Sequence, residues 1–235
     1  MRRRSPIVYG VLCLVLAGLF VAVDRTVPSQ HLVWRQLDTN APLGFATSSQ
    51  LMRVSLSPNS ICRYHAESAE TLQSKTADPH RPEGSSCGWG TARVYNGSSD
   101  VKLRPADPVM QCPMTLASHI WLRDVDTHAQ KFFGSKLVSV HHAGTYSCRR
   151  QVGNDSGQMS EHSFANAWDI TGFSLEDGRL ISVKSGWDGE RAERKFLRAS
   201  RRSACKIFRV VLSPDYNAAH HDHFHLDMGP SSACG

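Results

Sequence analysis

The sequence predicts an α+β fold: a small antiparallel sheet flanked by helices and preceded by an N-terminal transmembrane helix. Three observations carry that expectation. Helical and strand-like stretches alternate without regular βαβ spacing and without a Gly-rich phosphate loop, which argues against a parallel sheet. Asp177-Gly178 separates two strand-like stretches, Trp168 to Leu175 and Arg179 to Val183, as a tight hairpin turn requires. An uncharged, mostly apolar run from Ile7 to Val23 precedes all of these.

The 235 residues, 40% apolar and 20% charged, suffice for one medium domain with a hydrophobic core and are short for two. Disordered and collagen-like classes are excluded, and no window repeats at a solenoid period. The 27 Lys and Arg against 21 Asp and Glu leave a net charge of +6, of which Arg2, Arg3 and Arg4 supply half. The remainder is too mild to imply a nucleic-acid partner.

In chain order, Ile7 to Val23 spans roughly 26 Å as a helix, close to a hydrocarbon core of roughly 30 Å. It ends in Phe20-Val21-Ala22-Val23, a poor cleavage site, and the Arg triplet favours a cytoplasmic N-terminus. Residues 1–25 therefore read as a signal anchor, with secretion after signal cleavage as the alternative. Both place the remaining chain outside the cytoplasm. With Cys13 set aside, Cys62, Cys87, Cys112, Cys148, Cys205 and Cys234 form an even set without a C-x-x-C pair, which predicts three disulfides. Their pairing stays open.

Residues 26–49 are mixed and polar, with Pro28 and Pro42, and read as a linker to a domain over 50–235. Asn59 to about Leu72 reads as a helix after Pro58, with Ser57 as a cap. Residues 74–90 read as loop. Short strands are expected at 92–95 and 101–103. Pro113 opens a longer helix to about Phe132, with Leu116, Ile120, Trp121 and Val125 on one face and Gly134 as its stop. Leu137 to His141 is a strand, turned by Gly144 into Thr145 to Arg149. Gly189 to Ser203 reads as a basic helix with Ala192, Phe196 and Leu197 inward. Ile207 to Leu212 and His223 to Met228 complete the strands. Trp168, Phe173 and Trp187 are expected core; Glu161 reads as solvated, Ser160 as tying down a turn, and His141-His142 as an exposed strand end, with lining of a cleft as the alternative.

The chemistry concentrates late in the chain. His162 and Asp169 offer two zinc ligands from a bend and the strand after it. In a strand, His223 and His225 share a face, so one element brings a third ligand and a neighbouring imidazole together. Asp227 is placed either to support a ligand or to end the strand.

From Tyr146-Ser147-Cys148-Arg149 through Ser160-x-His162, Asn166-Ala167-Trp168-Asp169 and Leu212-Ser213-Pro214-Asp215-Tyr216-Asn217 to Asp222-His223-Phe224-His225-Leu226-Asp227, the chain resembles the bacterial extensin-like C-terminal domain. That domain is in turn similar to the LAS zinc peptidases, the D-Ala-D-Ala carboxypeptidases and penicillin-insensitive murein endopeptidases. The resemblance implies a LAS-like fold over 50–235 and a Zn2+ ion held by His162, Asp169 and His225. It implies Asp222 as general base, His223 beside the metal, and Arg149, with Arg150 as near alternative, gripping a substrate carboxylate. The implied activity is hydrolysis of peptide bonds in peptidoglycan stems or cross-links, by a protein tethered to the inner membrane with its domain in the periplasm. A non-catalytic cell-wall binding module keeping the same site is the competing expectation. Two departures stand out: Ala165 replaces a common Gly, and Asp222 is one methylene shorter than the Glu of several relatives.

Overall fold

A computed structural model of the chain describes residues 6–57, 59–151 and 157–235, and the side chains from residue 8 onward within those ranges. The expectations for Arg2 to Arg4 and for Pro58 lie outside the described residues. The elements in chain order are α1 (Pro6–Thr26), α2 (Thr47–Leu56), α3 (Asn59–Ser68), β1 (Leu72–Ala77), β2 (Ala92–Ser98), β3 (Lys102–Arg104) and β4 (Val109–Met110). They continue with α4 (Cys112–Phe133), β5 (Leu137–Gly144), β6 (Ala167–Leu175), β7 (Leu180–Ser182), α5 (Val183–Gly186), α6 (Arg191–Ala204), β8 (Val210–Leu212), β9 (Phe224–Asp227) and β10 (Ala233–Cys234).

The larger sheet runs β10-β8-β9-β6-β5-β3, with β7 also pairing β6. Its centre is antiparallel, as expected; its two end pairs, β3 with β5 and β10 with β8, are parallel. A second sheet, β1-β2-β4, is antiparallel throughout. The long helix α4 lies at the centre. Pro113 occupies its first turn, where a missing N–H costs nothing, and Gly134 ends it at φ +67°, its N–H donating to Gln130 O. Leu116, Ile120, Trp121 and Val125 are all buried on it. Trp121 donates Nε1–H to Ser200 O at 3.0 Å, joining α4 to α6, and packs edge-on against Trp168, Phe173 and Phe208. Phe173 and Phe196 are fully buried, and burying such a side chain is worth roughly 1.5–3 kcal/mol.

Six cysteines form three disulfides, Cys62–Cys112, Cys87–Cys148 and Cys205–Cys234, and Cys13 is free in α1. The stretch Val8–Thr26 is long and apolar enough to cross a membrane.

Several expectations are corrected. Residues 26–49 are not a free tether: Leu32, Leu37 and Ala46 are buried and Leu37 belongs to the core, because these scattered apolar side chains pack onto the domain beside α2. The helix from Asn59 stops at Ser68, whose hydroxyl bonds back to His65 O, and β1 starts at Leu72. Part of the expected 74–90 loop is therefore strand, held by pairing with β2 despite its polar residues. Ser57 closes α2, donating to Arg53 O, instead of opening α3. The strand expected over Ile207 to Leu212 is confined to β8, because backbone bonds from Ile207 and Phe208 to Ala204 O continue the end of α6 as turns. After β7, Val183 enters the single turn α5.

Candidate metal centre

His162 stands on a short 3₁₀ turn, Glu161–Phe164, entered through Ser160, whose hydroxyl accepts from His162 N. The turn is left through Ala165 at φ 54°, ψ 33°, a left-handed conformation that glycine adopts more readily. The bend is thus made with an alanine in a conformation that favours glycine. Ser147 N bonds to His162 O, Ser160 N to Arg149 O, and Gly88 N to Ser163 O, so residues 147–149 and the loop at Cys87 are both stitched to the turn. The disulfide Cys87–Cys148 locks those two segments to each other.

Asp169 lies on β6 and His225 on β9, directly opposite each other in the antiparallel register. Cross-strand partners place their side chains on one face within a few ångströms. His225 Nδ1 is 3.0 Å from Asp169 Oδ1, His162 Nε2 is 3.1 Å from Asp169 Oδ2, and the two imidazole nitrogens are 3.2 Å apart. These three residues are the group of potential metal donors that converge among the described residues. Ligands at about 2.0–2.1 Å around tetrahedral zinc lie about 3.3–3.4 Å from one another, so the three donor separations fit such an ion. His225 Nε2 points the other way and donates to Asp227 Oδ2 at 3.0 Å, while Gly229 N bonds Asp227 Oδ1. That carboxylate holds the imidazole with Nδ1 toward the site, as outer partners of metal-binding histidines do.

The electrostatics follow from this geometry. Burial alone would raise the Asp169 carboxyl, yet hydrogen bonds from His162 and His225 hold it well below the usual carboxylate range. Burial alone would lower His225, yet Asp169 and Asp227 on its two nitrogens raise it to about 9. His220 is lowered to about 4, by burial first and then by His223 and His225.

His223 precedes β9 and reaches the site from the bend, with Nε2 3.7 Å from Asp169 Oδ1. Asp222 does not turn toward the cluster. Its Oδ1 is 2.9 Å from His223 Nδ1, its Oδ2 is 3.6 Å from His221 Nε2, and its side chain is 41% exposed. The bend 220–222 that brings His223 to Asp169 directs Asp222 behind that imidazole, so Asp222 stands one ring removed from the donors. Arg149 is exposed and lines a cleft of about 590 Å³ together with Phe164, Leu212, Tyr216, His220 and His225. Arg150 is committed elsewhere, to Gly157 O.

Three residues enter the site beyond the expected set. His220 packs at ring-centroid distances of 5.2 Å from His223 and 5.8 Å from His225. Its place in the histidine-rich run was the available signal. Tyr216 lies edge-on to His220. Glu161, expected to be solvated, is half-buried on the cleft wall and accepts from Asn166 Nδ2 at 2.7 Å. The expected exposed strand end at His141-His142 is corrected: His141 is half-buried with Nε2 2.6 Å from Ser174 Oγ, and His142 is buried with Nε2 2.8 Å from Pro105 O, because β5 continues through both to Gly144.

An α+β domain braced by three disulfides, following an apolar helix and carrying a His-Asp-His group of which His225 lines a cleft, is a class consistent with work outside the cytoplasm. The Extensin-like protein C-terminus family model matches residues 60–235, and the chain belongs to that family. No curated protein and no solved structure matches the chain.

Proposed function

We propose that the protein is a membrane-tethered, zinc-dependent hydrolase of peptide bonds in peptidoglycan, acting in the periplasm. The observation that carries this reading is the mutual approach of His162, Asp169 and His225 to within 3.0–3.2 Å. The resemblance of Ser160-x-His162, Asp169 and His223-x-His225 to LAS zinc peptidases supplies the substrate class. His162 Nε2, an Asp169 oxygen and His225 Nδ1 would hold the ion. Bound there, zinc would supply a Lewis acid and a water acidic enough to ionise near neutral pH.

The chain's own residues complete the chemistry. Asp227 keeps His225 in its binding tautomer. His223 and His220, both beside the donors, are placed to take a proton from the attacking water and return one to the leaving amine. Such transfer contributes roughly 10²–10⁴-fold. Asp222 acts through His223: by accepting from Nδ1 it presents Nε2 to the site. Arg149 offers a planar fork to a substrate carboxylate at the cleft rim.

The test is incubation of the zinc-loaded full chain with linear and cross-linked muropeptides, read by mass spectrometry. Cleavage at one amide, giving two products whose summed mass is that of the substrate plus one water (or, within a ring or cross-link, a single product heavier by one water), with His223→Ala retaining zinc but losing turnover by at least about 100-fold, supports the proposal. The position of Asp222 behind His223 favours one competing reading, a wall-binding module without turnover. Zinc and muropeptide binding with unchanged muropeptide masses would establish that module instead.

A further inference from the structure

The end of α1 is built into the domain. Asp24, in its last turns, receives Trp34 Nε1–H at 2.8 Å and a two-pronged contact from Arg35, Nε to Oδ1 at 2.8 Å and an Nη to Oδ2 at 2.6 Å. The Trp34 ring lies 5.2 Å from that of Phe20. A forked guanidinium on a carboxylate fixes orientation as well as distance. The clasp continues inward: Arg53 on α2 bonds Arg35 O, and Leu51 and Val54 of α2 belong to the core.

This arrangement sets a depth. Phe20 precedes the helix end at Thr26 by six residues, about 9 Å along the axis, and lies about 4.5 Å inside the last apolar residue Val23. Trp34 therefore folds back along α1 to the level where its apolar stretch ends. Tryptophan favours that level of a bilayer, with its ring among the acyl chains and its N–H toward polar groups. Around the same exit, Val33 is 46% and Phe45 85% exposed. Phe45 is tied to the segment just after α1 by its N–H to His31 Nδ1 and by Ala46 N to Gln30 O. Arg25 and Arg53 are exposed alongside, suited to anionic headgroups.

We infer that the domain does not swing on a tether but lies against the bilayer that α1 crosses, with Val33, Trp34 and Phe45 seated in the lipid interface and Asp24 as the clasp. The inference rests on the membrane reading of α1 and is independent of the zinc site. Its occupant is the lipid surface itself.

The test uses the full chain with Cys13→Ser, reconstituted in phosphatidylethanolamine–phosphatidylglycerol vesicles carrying doxyl-labelled acyl chains. An environment-sensitive fluorophore is placed at Phe45→Cys or, as a distant control, at Leu180→Cys, whose position on β7 is 62% exposed. Loss of most of the fluorescence at position 45 and little at 180 supports the inference. Adding Trp34→Ala and Arg35→Ala should leave the protein in the vesicles with an unchanged thermal melt and restore fluorescence at 45. Vesicle-bound protein with equal, weak quenching at both positions overturns the docking alone. Protein that does not partition into vesicles at all overturns the membrane reading together with it.

Discussion

His119 in the middle of α4 and His225 on β9 are both largely withdrawn from water, 1% and 12% exposed. Their protonation runs in opposite directions. Burial lowers His119 to about 4, with Arg123 adding to the effect, and its Nε2 has no hydrogen-bond partner among the described residues. His225 meets the same burial but is raised to about 9, because Asp169 and Asp227 face its two nitrogens. The helix and the sheet thus use one side chain for two purposes. On α4 the imidazole is packing material. Between β6 and β9 it is a group held in its charged form by a carboxylate on either side. Burial does not separate the two cases; the carboxylates across the strands do.

The strongest way to break the contrast is to remove the shared carboxylate. Asp169→Ala should abolish zinc uptake, lowering affinity by about 100-fold or more, since even outer partners cost roughly 10–100-fold. Metal analysis after dialysis against a zinc buffer reads this directly, and stoichiometric zinc in the variant would refute the assigned donor set.

The next effect concerns the helix. An unfolded histidine titrates near 6.5 and His119 near 4, so the unfolded chain takes up more protons between those values. The stability that the neutral His119 confers is complete above about pH 6.5 and lost as pH falls to about 4, a difference of about 3 kcal/mol. Urea melts of the wild type and His119→Gln should diverge across that window. Parallel pH profiles would show that His119 is not the buried neutral group described.

The mildest change sharpens the sheet side. Asp227→Asn keeps a hydrogen-bond acceptor for His225 Nε2 but removes a charge, and should weaken zinc binding by roughly 10-fold. In the wild type, His225 is protonated below about pH 9, so zinc must displace a proton and its affinity should rise with pH up to that value. Titration calorimetry in buffers of different ionisation enthalpy counts the proton released. A release near neutral pH that Asp227→Asn does not diminish would dissociate Asp227 from the site.

Much of this architecture was legible in the residues. The period of Leu116, Ile120, Trp121 and Val125, bounded by Pro113 and Gly134, marks α4, and Asp177-Gly178 marks the β6–β7 hairpin, because both signals are local. His162, Asp169 and the His223-x-His225 pair were legible as candidates through their spacing, but the choice of His225 over His223 came from the family resemblance, and the cross-strand register of β6 and β9 is what sets His225 against Asp169. What was missed depends on distant partners. The polar strand β1 is held by β2, and the burial of Leu37 by a core built from residues beyond it. Alternation along a strand places His223 beside His225, but nothing in the run His220 to His223 reveals that the bend turns Asp222 outward and His220 inward. Disulfide pairing is likewise a property of the assembled chain.

The Cys87–Cys148 bridge joins two segments that both bond to the turn bearing His162. A chain with its cysteines still reduced would present soft sulfur donors that compete for zinc against two imidazoles and a carboxylate. On the zinc reading proposed above, closing the Cys87–Cys148 bridge before metal is supplied would remove those rival ligands and leave the segments around the His162 turn already joined.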